Sequence, residues 1–329
     1  MPLSLRRGRV TAVVERRQGL ARVEVDGEAC VAYPRLTGPV ALGDEVIVNV
    51  QARELGLGSG GFDVLYANLT RGLDLPGEAA AHVMKLPYAP LQYAAAHAEE
   101  ATDASATTLG GTPVVACSLH SQLAPVCAGL AGRRVAYVQV PGGALPLDLS
   151  DTVRVLRERG LIDRTIAAGA CFGGDAETVS LYSALTAARA GRADVIVCAI
   201  GPGVVGTGTP FGHGGMAAAD VVAAATALGG APVLAVRVSE VDPRPRHRGV
   251  SHHAQAVLDL WGGCCSVAWP AGCPIDEPVG ASVKRIDVSG WRDACAGLPL
   301  ASMGRGPDDD AWFFAAAFAA GRLAHSLAG

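Results

Sequence analysis

The chain has 329 residues, 50% of them hydrophobic and 18% charged, with 27 Lys and Arg against 31 Asp and Glu for a net charge of −4. That length suits two domains, or one large domain with an appendage, and buries enough core to fold without disulfides or a structural metal. The balance excludes a generally basic nucleic-acid coat, an acidic tail and a disordered chain.

Arg6, Arg7 and Arg9 precede an apolar run at 10–14, but Glu15 ends it far short of a secretory signal. Residues 195–219 carry no Asp, Glu, Lys or Arg, yet their glycines together with Pro202 and Pro210 would break a helix in lipid. The nine cysteines are scattered and form no C-x-x-C pair. Cys117 and Cys198 lie inside apolar runs and read as inert core thiols. The expectation is a cytoplasmic protein with no membrane partner.

Residues 1–65 read as a small β-barrel of the OB or SH3-like kind. Short Val-rich runs at 8–14, 21–25, 29–33 and 45–50 are separated by turn signals such as Asp26-Gly27 and Gly43-Asp44. The segment is locally basic, but Tyr33 is the single aromatic before Phe62, so stacking surfaces for bases are scarce. Packing or oligomerisation fits this barrel better than nucleic acid, which would bind through Arg6, Arg7, Arg9, Arg16 and Arg17. Residues 66–112 read as an extended connector: 84–92 extended around Pro87 and Pro90, 93–100 a short helix, and 102–111 a polar linker.

From 113 to 329 the pattern alternates. Apolar strand runs at 113–117, 134–140, 165–168, 194–200, 232–238, 282–288 and 298–302 are mostly separated by helical patterns at 122–131, 151–159, 175–190, 216–228, 253–261, 291–296 and 309–327. Such alternation predicts an α/β fold: a Rossmann-like three-layer domain with a mainly parallel sheet covered on both faces.

In such sheets ligands bind outside the carboxyl ends of the strands. The residues following the runs are therefore the candidates. Gly201, Gly203 and Gly206 satisfy G-x-G-x-x-G after a strand, but no helix follows at once and no acidic residue lies about 20 residues on, which argues against a dinucleotide site. A phosphate or carboxylate cradle with Thr207 and Thr209 as donors, and a purely structural glycine loop, both remain open. Asp175, after Gly173-Gly174, reads as a helix N-cap. The segment 242–253 holds Arg244, Arg246, Arg248, His247, His252 and His253. Arginine suits bidentate contact with an oxyanion, and histidine suits proton transfer near neutral pH. His252-His253 at a helix start would be neutral, because a cation there opposes the dipole. Arg305 between two glycines reads as an anion contact, and Asp308, Asp309 and Asp310 as charges at a helix start. His120 lies between Ser118 and Ser121, but G-x-S-x-G is absent, which argues against an α/β-hydrolase.

Several segments resemble a bacterial family known as domain of unknown function 3866: ELGLGSGGFDVLYANL (54–69), AHVMKLPYAPLQ (81–92), LHSQLAPVCAG (119–129), GGALPLDLS (142–150), TIAAGACFGGDAE (165–177), GPGVVGTGT (201–209), DPRPRHRGVSHH (242–253) and MGRG (303–306). The resemblance implies one intact cytoplasmic bacterial protein. It supplies no activity, cofactor or catalytic residue.

The first functional expectation is an enzyme acting on a small anionic metabolite, phosphorylated or carboxylated. Arg244, Arg246 and Arg305 hold the anion over a backbone cradle of Gly201, Gly203, Gly206, Thr207 and Thr209. His247, His252 or His120 moves protons, Asp242 orients a histidine, and no metal ligand is assigned. The alternatives are a non-catalytic ligand sensor or an RNA- or protein-binding module acting through the barrel, and a metalloenzyme using His247, His252, His253 and Asp242. The nearby arginines oppose the last. Cofactor and oligomeric state are left open.

Overall fold

In a computed structural model of the chain, the described residues are 3–56, 60–78, 81–101 and 107–329, and they fall into two compact units, Met1–Ala96 and His97–Gly329. In the first unit a period-two burial pattern makes the strands. β2 (Ala21–Val25) buries Ala21, Val23 and Val25, and β4 (Glu45–Asn49) buries Val46 and Val48. With β1 (Leu5–Arg16), β3 (Glu28–Ala32) and β5 (Asp63–Asn68) they close a barrel in the order β1-β2-β3-β5-β4. β1 pairs antiparallel with both β2 and β4, while β3 and β5 run parallel. Short α1 (Pro34–Thr37) follows β3 and α2 (Gln51–Glu54) follows β4; this strand order is that of the OB type. The Asp26-Gly27 turn carries positive φ at both residues (52° and 84°), the geometry that joins tightly paired strands.

Arginines of the barrel are largely matched by acids. Arg7 and Arg9 pair with Glu45, Arg17 and Arg22 with Glu15, Arg53 with Asp63 and Glu28, and Arg71 with Asp44. The fifth strand lies beyond the expected runs and carries the barrel past residue 65. In place of the helix expected at 93–100, β6 (Val83–Lys85) pairs with β7 (Tyr93–Ala95), and a single 3₁₀ turn follows at Ala98–Glu100. Much of the expected polar linker, 102–106, lies outside the described residues.

The second unit is the three-layer α/β domain. Its elements run β8 (Pro113–Cys117), α3 (Leu123–Gly129), β9 (Val135–Val140), α4 (Asp151–Glu158), β10 (Arg164–Ala168), β11 (Ala176–Thr178), α5 (Leu181–Ala190), β12 (Val195–Ile200), α6 (Ala217–Ala227), β13 (Ala231–Ala235), the small pair β14 (Val238–Ser239) and β15 (Gly249–Val250), α7 (His252–Trp261), β16 (Ser266–Pro270), β17 (Ser282–Ile286), α8 (Trp291–Ala294) and α9 (Ala311–Leu327). Eight strands form one parallel sheet in the order β11-β10-β9-β12-β8-β13-β16-β17. The central strands β8, β9 and β12 are buried along their whole length, which explains their unbroken apolar sequence. One face packs on α3, α4 and α9, the other on α5, α6 and α7. Cys117 and Cys198 are buried, and burial pushes both thiols up, Cys117 to about 12. Among the described residues no helix is long and apolar enough to cross a membrane.

Three expectations are corrected. The run at 298–302 is not a strand; Ser302 only bridges to Arg305 across a tight turn. The strand at Ser266–Pro270 was not foreseen. The helix expected from 175 starts at Leu181, capped by Ser180, whose Oγ accepts from the Ser183 amide. Asp175 is therefore no cap: it accepts from the Thr165 amide (2.8 Å) and pairs with Arg157 (2.9 Å), because Ala176–Thr178 adds an edge strand to β10.

α3 and α9 touch through glycine. A Cβ on Gly321 would run into the Val126 carbonyl and Gly129. Gly321→Ala should therefore lower unfolding free energy by about 1–3 kcal/mol, as overpacking does, in a urea titration; an unchanged midpoint would show that the helices separate freely.

Candidate metal centre

The chain leaves β8 toward β9 over the α3 face, whereas it leaves β12 and β13 over the α6 and α7 face. Since β8 lies between β12 and β13, its carboxyl end is a switch point, where connections part and ligands bind in open α/β sheets. The residues delivered there are His213, ahead of α6, and His252 and His253, opening α7.

The glycine-rich segment delivers His213. Gly206 and His213 face each other in an antiparallel bridge, the Thr207 amide donates to the Gly212 carbonyl (2.7 Å), and the Gly214 amide donates to that of Val205 (2.7 Å). Side chains have no room: a Cβ on Gly201 would meet the Ala144 carbonyl, one on Gly206 the body of His213, and one on Gly214 the Gly142 carbonyl. Gly203 has a φ of 73°, which favours glycine. The Thr207 and Thr209 hydroxyls bond each other (2.8 Å); Thr207 also donates to the Gly212 carbonyl, and Thr209 accepts from the Gly212 amide. The residues expected as an anion cradle thus hold their own loop together.

The His213 and His253 rings stack 3.8 Å apart, His252 lies edge-on to His213 at 5.3 Å, and His252 and His253 are 4.4 Å apart. One ligating nitrogen from each of the three lies within 4.8 Å of the others. His213 Nε2 lies 2.9 Å from the Pro210 carbonyl, which can only accept, so Nε2 carries the proton and Nδ1 presents its lone pair. His213 Nδ1, His252 Nε2 and His253 Nδ1 are all buried without a hydrogen-bond partner. A buried polar atom left unsatisfied costs about 1–3 kcal/mol, so three at one point favour an occupant that engages them.

The rings are neutral. Burial, and then the other imidazoles and Arg237, pushes His253 down to about 2. Burial pushes His247 down to about 3, helped by Arg237 and Arg244. His213 and His252 are lowered by burial too; for His252, His213 and then Arg246 add to the effect. His247 is a fourth ring, 4.7 Å from His252 and 4.9 Å from His253. Its Nδ1 lies 2.7 Å from Ser251 Oγ, which accepts the His253 amide as cap of α7. Ser251 thus holds the His247 ring through Nδ1 while it caps α7. The group of nitrogens that lie within reach of one ion is that of His213, His252 and His253.

Asp242 does not orient a histidine. Its fully buried carboxylate receives Arg237 (3.0 Å), Arg244 (2.9 Å) and Arg305 (2.9 Å), since a neutral ring cannot compete with a guanidinium. Burial alone would raise its pKa, but the hydrogen bonds and charge of Arg244, with Arg237, hold it well below the usual carboxylate range. Arg305, placed by the turn at Met303 and Gly304, also contacts Asp310 (3.3 Å), which accepts from Ser239 (2.6 Å). Two of the expected anion contacts, Arg244 and Arg305, are thus engaged. Arg246 is exposed and makes no ion pair among the described residues. His120 belongs to a separate clamp: Nδ1 lies 3.0 Å from the Ile200 carbonyl, and Ser150, which caps α4, lies 2.7 Å from Nε2. Burial lowers His120 to about 4.

Residues 29–321 match the family described as protein of unknown function DUF3866. The chain belongs to that family. No curated protein matches it. The DUF3866 match spans the imidazole cluster and the arginines around Asp242.

Sequence reasoning missed His213 and Arg237. A signal for His213 was present in G-H-G-G directly before a helix; Arg237 ended an apolar run and carried none.

The neutral rings set an acid limit. Unfolded histidine titrates near 6.5, so below that pH the unfolded chain binds more protons and stability falls as pH drops toward the folded values of about 3 and 2 for His247 and His253. Each contributes a slope of about 1.4 kcal/mol per pH unit. Urea unfolding of metal-free protein should show stability complete above pH 6.5 and declining before carboxylates titrate, with a shallower decline in His253→Asn; equal slopes would place the His253 proton affinity near its ordinary value.

Proposed function

We propose that this DUF3866 protein is a metal-dependent enzyme whose divalent ion is bound by His213, His252 and His253. The observation that carries the reading is the convergence, at the sheet's switch point, of three neutral imidazoles, His213 and His253 buried and His252 half-buried, each with a buried unpartnered nitrogen. Three neutral nitrogen ligands suit zinc and related first-row ions, and three protein ligands leave a coordination position for water or substrate. The ion would act as a Lewis acid or activate a water. This chain's residues hold the ligands: Pro210 fixes the His213 tautomer, Ser251 caps the helix that presents His252 and His253, and the glycine contacts seat the His213 loop.

This reading retains the strand-edge site of the first expectation and gives its histidines a different task. Rings titrating near 2 and 3 hold no proton at neutral pH, so His247 and His253 are poor general acids, whereas neutral imidazole is the form that ligates. A cytoplasmic setting accords with nine free cysteines. The barrel's matched charges lend little support to a nucleic-acid partner.

Protein stripped of metal and titrated with Co²⁺ should bind one equivalent with visible d–d absorption, displaced by Zn²⁺. His213→Ala and His253→Ala should each weaken binding by more than about 100-fold, beyond the loss typical of an outer-shell partner. His120→Ala should leave the spectrum unchanged. Wild-type protein that binds neither ion overturns the reading.

A further inference from the structure

The positive charge around the imidazoles exceeds what the protein itself neutralises. Arg237, Arg244 and Arg305 share two buried carboxylates, Asp242 and Asp310. Arg248 reaches only the Asp242 backbone carbonyl, at 3.4 Å. Arg246 is exposed with no ion pair among the described residues, and it directly precedes His247, whose ring lies 4.7 Å from His252. Arg237 is more telling. Its side chain is 3% exposed, its carbonyl accepts from the Ser251 amide at the start of α7 (2.9 Å), and its Nε–H has no hydrogen-bond partner among the described residues. A buried guanidinium N–H without an acceptor asks for one, and Asp242 already receives three arginines. The three ligating rings contribute no negative charge, so a bound divalent ion would add its full charge to this field.

We propose that the substrate of this centre carries an oxyanion group, phosphate or carboxylate, held beside the ion by Arg246 and the Nε–H of Arg237. The proposal rests on the metal reading above, because the ion supplies part of the attraction. An oxyanion supplies what the protein lacks there: an acceptor for Arg237, a counter-charge for Arg246 and an oxygen for the open coordination position. A neutral substrate would leave both arginines uncompensated.

The test uses Co²⁺-loaded wild type and Arg246→Gln, with inorganic phosphate and acetate titrated separately and binding read by calorimetry and the cobalt spectrum. Arg246 is exposed and unpaired, so the variant keeps its fold, and Co²⁺ affinity should stay within twofold of wild type. At least one of the two anions should perturb the wild-type spectrum and bind the variant roughly 10- to 100-fold more weakly, the loss expected for a charge-assisted hydrogen bond. The anion that shows this dependence identifies the substrate's group. If Co²⁺ binds but neither anion does, or both proteins bind the anions equally, the oxyanion proposal falls and the metal site stands. If wild type fails to bind Co²⁺, the metal reading fails and takes this one with it.

Discussion

One buried carboxylate organises the carboxyl edge of the sheet. Asp242 is fully buried and would be unstable as an isolated anion; three guanidiniums from two segments of chain stabilise it. Arg237 comes from the end of the β13 segment, Arg244 from the loop after it, and Arg305 from the turn before α9. The pairing fixes the path of the loop that returns through β15 to α7, and so fixes where His252 and His253 emerge. Ser239 and Asp310 extend the network to the start of α9, which joins the site's loop to the longest helix of the domain. Removing Asp242 would leave Arg237 buried without its carboxylate, a larger loss than the pair contributes when intact.

That hub also sets the chemistry of the rings beside it. Arg237 is close enough to depress all four imidazoles, and burial pushes the same way. Four rings within about one ring's width could not share protons in any case, since each charge would repel the next. The cluster is therefore held in its uncharged form, with the His213 proton directed to Pro210. Neutral rings, one of them with its tautomer fixed, are in the protonation state that a metal ion needs.

Much of this was legible from residues alone. Alternation of apolar runs with helical periods marked the parallel sheet, Asp26-Gly27 marked a barrel turn, and the gathering of His and Arg after β13 marked the edge where the cluster lies. What escaped notice has physical reasons. Ala176–Thr178 is too short and mixed to signal a strand; it pairs at the sheet edge because β10 offers a free side. Gly201, Gly203 and Gly206 spell a phosphate-loop pattern, yet Gly201 and Gly206 permit close contacts with Ala144 and His213, and Gly203 takes a positive φ. The pattern records where side chains are excluded, and close approach to a neighbouring loop excludes them as well as close approach to a phosphate does. Asp242 looked like an orienter of histidine, but Arg237 and Arg244 beside it and Arg305 from far along the chain reach it and bind more strongly.

Arginines beside a cation site seem contradictory, and the arrangement resolves the conflict. Their repulsion toward a divalent ion is limited by Asp242 and Asp310, which lie on the guanidiniums themselves and shorten the reach of their field. Their repulsion toward a proton acts on the same nitrogens a metal would use. Protons and metal ions compete for imidazole lone pairs, and lowering the proton affinity favours the metal at any pH above the depressed value. With His253 near 2 and His213 and His252 lowered as well, protons are weak competitors in the neutral range. The cations that raise the electrostatic cost of a bound ion thus also remove its main rival, and the surplus charge they leave is the feature that an anionic ligand complements.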